Sequence, residues 1–349
     1  MMTGGMRVVL EALSNASGVA GDEAEVRQVI SREIGPHVDR LETDALGNLF
    51  GTSRSKGKKR SPRVMLAAHM DEVGLMVVGH ESSGQLRFRT VGGIDPRLLP
   101  SKFFLVGRGK RPAVVGMKPI HQLTAEVRKE TIKVRDLFLD IGASTAEEAR
   151  SKAPVGEYAA FATAFERYSP TVVKGKAFDD RIGCAVLVEL ARSRYPIPVT
   201  FAFTVQEEVG LRGAQVAGYH LHPDIAIVIE GTASADFPTK RDTGKSPSMG
   251  RGPVVTTMDR SLVCDPRLVA LIRRTAKEEG IPVQTKRPMI GGTDGGRIAV
   301  ARGGSRVCVI SVACRYIHSP ASLASLRDIR QTARLVAALL ERLGREQRE

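Results

Sequence analysis

Imidazoles and carboxylates stand beside apolar segments at several widely separated points of this chain. His69 and Asp71 follow an apolar run in AAHMDEVG, Glu207 and Glu208 follow another in TVQEEVGLRGA, and Glu230 closes a third in IVIEGT. Asp179 and Asp180 in KAFDDRIG precede an apolar segment, and His318 lies in CRYIHSP. Imidazole and carboxylate are borderline to hard ligands, so this set suits Zn²⁺, Co²⁺ or Mn²⁺. A structural zinc cluster is not expected, because Cys184, Cys264, Cys308 and Cys314 are scattered and form no CxxC pair. The pair Glu207 and Glu208 carries the strongest signal. Adjacent carboxylates at a buried strand end are costly unless a cation neutralises them.

Taken singly, each of these signals has an ordinary structural explanation. His69 alone reads as a loop histidine, and Asp179-Asp180 before Arg181 reads as a helix cap with an ion pair. The conjunction points to a bound divalent metal rather than to these separate explanations. GGTDGG at 291–296 forms a tight loop that permits close backbone approach, so Thr293 and Asp294 are candidates for shaping a substrate pocket. His121 in KPIHQL is a further polar candidate outside the catalytic set.

Positioning such residues requires strands that end near one another. RVMLAA at 63–68, VTFAFTV at 199–205, IAIVI at 225–229 and VCVIS at 307–311 read as buried strands, and LETDALGNLFGTS as short strands around a turn. Helical periodicity appears over 22–34, where Asp22 and Glu23 stand to cap the helix, after Asp180, over PRLVALIRRTAKEEG, and over 322–344. Continuous apolar strands alternating with helices predict an α/β fold with a mostly parallel sheet covered by helices, and ligands beyond the strands' carboxyl ends. Between 73 and 167 the texture changes to short apolar runs separated by turn residues, which predicts a small β-rich domain inserted into the α/β domain formed by 1–72 and 168–349.

The 349 residues are 42% hydrophobic and 26% charged, within the globular range. Neither a spanning apolar segment nor the long apolar core of a signal peptide is present, so no membrane partner and a cytoplasmic location are expected. The formal net charge is +14, and its one dense run is Arg54, Lys56, Lys58, Lys59, Arg60 and Arg63. Glycine, serine and proline interleave it, with no aromatic residue for base stacking, so it reads as a solvated loop tip rather than a nucleic-acid surface.

The blocks AHMDEVGL, KAFDDRIGCAV, QEEVGLRGA, GGTDGG and RYIHSP, in this order and spacing, resemble the dinuclear metallo-aminopeptidases of the tetrahedral and glutamyl aminopeptidase type, some of which carry the label endoglucanase. The resemblance extends from LEALSNASGVAGDE to the last helix and includes GMKPIHQLTAEVRK and DLFLDIGASTAEEA. It implies a zinc-exopeptidase-like fold and two divalent ions, one held by His69, Asp179 and Glu230, the other by Asp179, Glu208 and His318. Asp71 would orient the His69 ring, as a carboxylate behind a ligating imidazole does. Glu207 would act as general base. Asp236, where the family also carries an acid, would contact the substrate amine or support a ligand. Many relatives have Asp where this chain has Glu230, and the longer arm changes the bidentate geometry available. The resemblance further implies peptide substrates and assembly through the 73–167 segment into a homo-oligomer, often a dodecamer.

Two other functions remain open at this level. A deacylase or carboxypeptidase would use the same metals and base, differing only in pocket residues. A non-catalytic basic binding protein would have no use for the full ligand set. Glycoside cleavage accords badly with a metal pair, since that chemistry rests on two carboxylates flanking the sugar bond.

Overall fold

A computed structural model describes residues 5–54, 61–238, 247–287 and 291–345. Lys56, Lys58, Lys59 and Arg60 of the basic run lie outside the described residues. The ends of that run are tied down. The Arg54 amide donates to Asp39 Oδ2 at 2.7 Å, and Arg63 forks onto Asp224 through Nε at 3.2 Å and Nη2 at 3.0 Å.

The chain opens with helices α1 (Gly5–Asn15) and α2 (Ala24–Ile34), then strands β1 (Arg40–Thr43), β2 (Leu49–Ser53) and β3 (Val64–His69). Next come β4 (Gly74–His80), β5 (Leu86–Val91), β6 (Phe103–Val106), β7 (Arg111–Met117), β8 (Leu137–Asp140), helix α3 (Ala146–Lys152) and β9 (Tyr158–Phe161). Then follow β10 (Glu166–Arg167), β11 (Val172–Gly175), α4 (Phe178–Ala191), β12 (Val199–Thr204), α5 (Arg212–Leu221) and β13 (Ile225–Ala233). The last stretch holds β14 (Val254–Thr256), α6 (Pro266–Glu278), β15 (Gln284–Thr285), α7 (Asp294–Ala299), β16 (Arg306–Arg315), β17 (Ser322–Ser325) and α8 (Leu326–Arg345).

The α/β expectation holds, but the main sheet is mixed rather than mostly parallel. Its order is β1-β2-β12-β3-β13-β16-β17-β11-β10, with β14 and β15 branching from β16. Parallel pairing is confined to the centre, β12 with β3, β3 with β13 and β13 with β16, and to the short pair β14 and β15. The flanking strands are antiparallel. An apolar run reports burial on both faces, not the direction of its neighbour. Helix α4 packs against β3, β13 and α1. It is buried almost all round, from Ile182 to Ala191, so it lies within the core rather than at its surface. Helix α8 shows one buried stripe, including Leu335, Val336, Leu339, Leu340 and Leu343, and presents Arg327, Arg330 and Arg334 outward.

Three local expectations are corrected. The terminal helix starts at Leu326, because residues 322–325 form β17 and pair with β11 and β16. Glu23 makes no cap bond to its helix; its Oε1 accepts instead from the amides of Gly21 and Gln206, at 2.7 and 3.2 Å. Helix α1 covers a segment for which no element was expected.

Strands β4-β5-β8-β7-β6-β9 close into an antiparallel barrel with its own core, in which Phe104 and Phe161 meet at 4.5 Å between ring centroids. The barrel's strands span 74–161, whereas β10 at 166–167 pairs with β11 in the main sheet, so strand pairing does not follow the expected limit at 167. Closure removes the exposed edges that a small open sheet would present. Among the described residues no helix is long and apolar enough to cross a membrane.

Candidate active site

The central parallel strands run in the same direction, so their carboxyl ends open onto one edge of the sheet. His69 is the last residue of β3 and is paired across the ladder with Thr204 at the end of β12. The turn after β12 carries Glu207 and Glu208, β13 carries Glu230, and the turn after β16 carries His318. Asp179 joins them from the head of α4, where it and Asp180 have non-helical backbone angles. A Cβ on Gly231 would stand 3.0 Å from Asp179 Cα, so glycine after Glu230 is what lets this segment approach.

The Asp179 carboxylate lies between the two imidazoles. Its Oδ1 is 3.3 Å from His69 Nε2 and its Oδ2 is 3.5 Å from His318 Nε2, while Glu208 Oε1 is 3.3 Å from the same His318 nitrogen. Two trios bring ligand atoms within 4.8 Å of one another: Asp179, Glu208 and His318, and His69, Glu207 and Glu208. Glu230 belongs to neither trio but lines the same cavity, of about 870 Å³, with Asp179, Glu207, Glu208 and His318.

Both imidazoles are held at Nδ1 by a carbonyl oxygen, Asp71 O at 3.1 Å for His69 and Gly93 O at 3.0 Å for His318. In the neutral ring that contact assigns the proton to Nδ1 and leaves the Nε2 lone pair facing the cluster. The Asp71 carboxylate is 3.5 Å from His69 Nδ1, but its hydrogen bonds come from the amides of Glu207 at 2.9 Å and Glu208 at 3.0 Å. Geometrically it braces the acidic turn at least as much as the ring. Asp180 is wholly buried and accepts from the amides of His69, Gly183 and Gly231 at 3.3, 2.9 and 3.1 Å, tying β3, α4 and β13 together. Left-handed backbone at Ala177, Gln206 and His318, with φ of 55°, 56° and 55°, bends the chain beside or at these side chains.

The electrostatics show what such a cluster lacks. Burial drives Glu207 and Glu230 well above the ordinary carboxylate range, with neighbouring carboxylates adding to the shift. Burial likewise pushes Glu208 up to about 7. Burial acts on Asp179 in the same direction, but hydrogen bonds from His318 and His69 outweigh it and hold this carboxyl below its usual value. Burial opposes protonation of His318, yet Asp179 and Glu208 raise it to about 9; His69 is raised by Asp179 and Asp71. Positive charge is thus drawn into the site, by protons when nothing else supplies it. Divalent cations on these oxygen and nitrogen donors would meet the same demand, and the donor set fits them.

The remaining candidates lie elsewhere. Asp236 is engaged by Arg315, at 3.0 Å from Nε and 2.7 Å from Nη2, and also accepts from Ser234 Oγ. Thr293 is buried, with Oγ1 donating to Asp259 at 3.1 Å. Asp294 is buried beneath the site, accepts from Thr204 Oγ1, and leaves Oδ1 without a partner. Of the glycine loop, it is Gly291 and Gly292 that line the cavity. His121 sits exposed on a short 3-10 turn, Ile120–Gln122.

Sequence reasoning missed a buried cluster directly behind the ligands. Glu72 Oε1 meets Lys176 Nζ at 2.5 Å and Arg181 Nη2 at 3.1 Å, while Arg181 also donates to the carbonyls of Met70, Leu13 and Ala16. The available signal was a Lys and an Arg flanking FDD before an apolar helix, where solvation is not to be had.

A family model for M42 glutamyl aminopeptidases matches residues 47–335. The chain is 34% identical to a lysyl aminopeptidase of Pyrococcus furiosus, over 96% of each chain. It is 30% identical to a glutamyl aminopeptidase of Lactococcus lactis, over 97% of this chain and 96% of that one. Among solved structures, a TET aminopeptidase of the marine sediment archaeon Thaumarchaeota archaeon SCGC AB-539-E09 superposes with a TM-score of 0.93 at 35% identity, covering 97% of this chain and 96% of that one. Pyrococcus horikoshii TET1 peptidase, which can assemble into a tetrahedron or a large octahedral shell, gives 0.85 at 33% identity, with 96% and 99% covered. This chain belongs to the M42 glutamyl aminopeptidase family.

Proposed function

We propose that this protein is a metal-dependent aminopeptidase that hydrolyses the first peptide bond of peptides with a free N-terminus. Family membership supports the peptidase class, and one observation carries the mechanism: the Asp179 carboxylate stands between His69 and His318, with Glu208 on the His318 side. In this reading His69, Asp179 and Glu230 would hold one divalent ion and Asp179, Glu208 and His318 the other. Divalent ions held there, Zn²⁺ or Co²⁺ by the donor chemistry, would supply Lewis acidity. Glu207 takes a proton from the attacking water and delivers it to the leaving amine nitrogen. Asp71, through the amides of Glu207 and Glu208, fixes where that carboxylate stands. The substrate amine finds its countercharge among the same carboxylates, leaving Asp236 to its pair with Arg315.

Residues 1–72 and 168–349 form the catalytic body in this proposal, and 73–167 the assembly module. Apolar side chains exposed in that module support the assignment, with Phe103 67%, Ile120 68% and Val155 62% accessible. Cytoplasmic residence accords with four free, buried cysteines.

The test compares free and N-acetylated peptides before and after chelation. Hydrolysis confined to free N-termini, lost with chelator and restored by Zn²⁺ or Co²⁺, is expected. Hydrolysis of blocked peptides alone would reassign the site to a deacylase, and activity untouched by chelation would remove the metals from the mechanism.

A further inference from the structure

A second hollow, of about 560 Å³, lies between α5 and α7. Arg212, Gln215 and Tyr219 line it from α5, Arg297 from α7, and Arg302 from the turn that follows α7. Three guanidinium groups thus share one concave site, and among the described residues that line it there is no carboxylate. What holds these arginines is uncharged. Arg302 lies over the Tyr219 ring, 4.3 Å from its centroid, and Arg212 Nη1 is 3.4 Å from Gln206 Oε1. Other exposed arginines of this chain are matched with acids, Arg63 with Asp224, Arg97 with Asp95 and Arg194 with Asp39. Like charges gathered in a hollow focus a positive potential. An anion arriving there would receive charge-assisted hydrogen bonds from forks already held in place.

The chain links this hollow to the active-site cavity along both walls. Gly210 and Leu211 line the active-site cavity, and Arg212, the next residue, lines the second. Gly291 and Gly292 likewise line the first, and Arg297, on the helix that follows them, the second. The groove between α5 and α7 therefore starts at the rim of the catalytic site. From Arg212 to Tyr219 the helix rises about 10 Å, the length of about three residues of extended chain.

We propose that this groove is a subsite for the part of the peptide beyond the scissile bond, and that it takes a carboxylate there, from an acidic side chain or from the peptide's C-terminus. The inference rests on the aminopeptidase reading and extends it to the leaving portion of the substrate; it is independent of the first residue. A substrate segment is the occupant because both walls begin at the cavity from which the leaving peptide must emerge.

Hexapeptides that begin with leucine test this. One set has an amidated C-terminus and carries a single glutamate, or a single glutamine, at each position from the third to the sixth; an all-neutral peptide is compared with free and with amidated C-terminus. Leucyl p-nitroanilide, which has no leaving peptide, is the control. With the metal-loaded protein, at least one charged peptide is expected to exceed its uncharged counterpart about fivefold in kcat/KM, through KM, since several held forks are worth more than one exposed pair. Arg297→Ala/Arg302→Ala removes that gain and leaves the anilide within about twofold. Arg327→Ala/Arg330→Ala takes the same charge from the outer face of α8 and keeps the gain, which separates the groove from general attraction by a cationic protein. Anilide turnover reports that the variants are folded, and Arg297→Gln alone carries the same test should the double variant not fold. A gain confined to glutamate peptides identifies a side chain as the occupant, and one confined to the free terminus identifies the terminal carboxylate. Equal rates in every charged and uncharged pair, a gain that survives Arg297→Ala/Arg302→Ala, or a gain lost equally in both double variants overturns the subsite and leaves the aminopeptidase reading intact. Absence of hydrolysis on the anilide and on every peptide overturns both.

Discussion

Glu207 and Glu230 face one cavity, the first from the turn after β12 and the second from β13, and are given different work, so replacing each should produce different losses. Glu207→Gln keeps the size of the side chain but cannot accept the proton. Its kcat should fall by about 10² to 10⁴, the usual worth of a positioned base, with metal content unchanged by elemental analysis. Glu230→Gln should instead lose metal, and the reverse pattern would exchange the two assignments. The trio of His69, Glu207 and Glu208 within 4.8 Å is why this pair of variants is needed. For Asp71→Asn, one of the two peptide amides now held by the carboxylate must face a side-chain NH₂, and activity or metal affinity should drop about 10- to 100-fold. Full activity in that variant would show that the acidic turn holds itself. Residue types and their places after apolar runs made the ligand set legible in the sequence. The task of the Asp71 carboxylate was not, because its partners stand 136 and 137 positions away.

Helix α4 enters the sheet beside charges that have no access to water, and those charges make its stability depend on pH. Burial holds Lys176 down to about 8 from its ordinary 10.5, despite Glu72 beside it. Between these values the unfolded chain binds the proton and the folded chain does not, so stability attributable to this group rises with pH across that window. Below about 8 the penalty is present in full. Chemical denaturation of wild type and Lys176→Met from pH 7 to 10.5 should show wild type gaining on the variant as pH rises, by on the order of 3 kcal/mol. Parallel curves would mean that Lys176 keeps its charge throughout. At this scale the buried strands β3, β12, β13 and β16 were readable as unbroken apolar runs. What failed was local and contextual. SLAS at 322–325 continues the helical pattern on paper but is claimed by β11 and β16, and Glu23 gives up its cap for two amides outside its helix.

The molecule as a whole joins a sheet-based body to a barrel that places Phe103, Ile120 and Val155 in the open. Apolar side chains of this size on display mark a surface that meets another. Light scattering should find wild type as a large particle, and the double variant Phe103→Ser/Ile120→Ser as a smaller one that still cleaves anilides within about a few fold of wild type, as surface changes remote from a site allow. An unchanged particle would move the contact elsewhere. The texture change that signals the barrel was visible in the sequence, though its limit and closure were not, since pairing partners leave no mark in composition. The Gly93 carbonyl that accepts the hydrogen bond from His318 Nδ1 belongs to the segment between β5 and β6 of the barrel. One imidazole is therefore tuned from outside the sheet that carries it. A truncated protein lacking residues 74–161 would keep every charged group of the cluster and still set that ring free to turn, so trimming this enzyme to its acidic core would detune it.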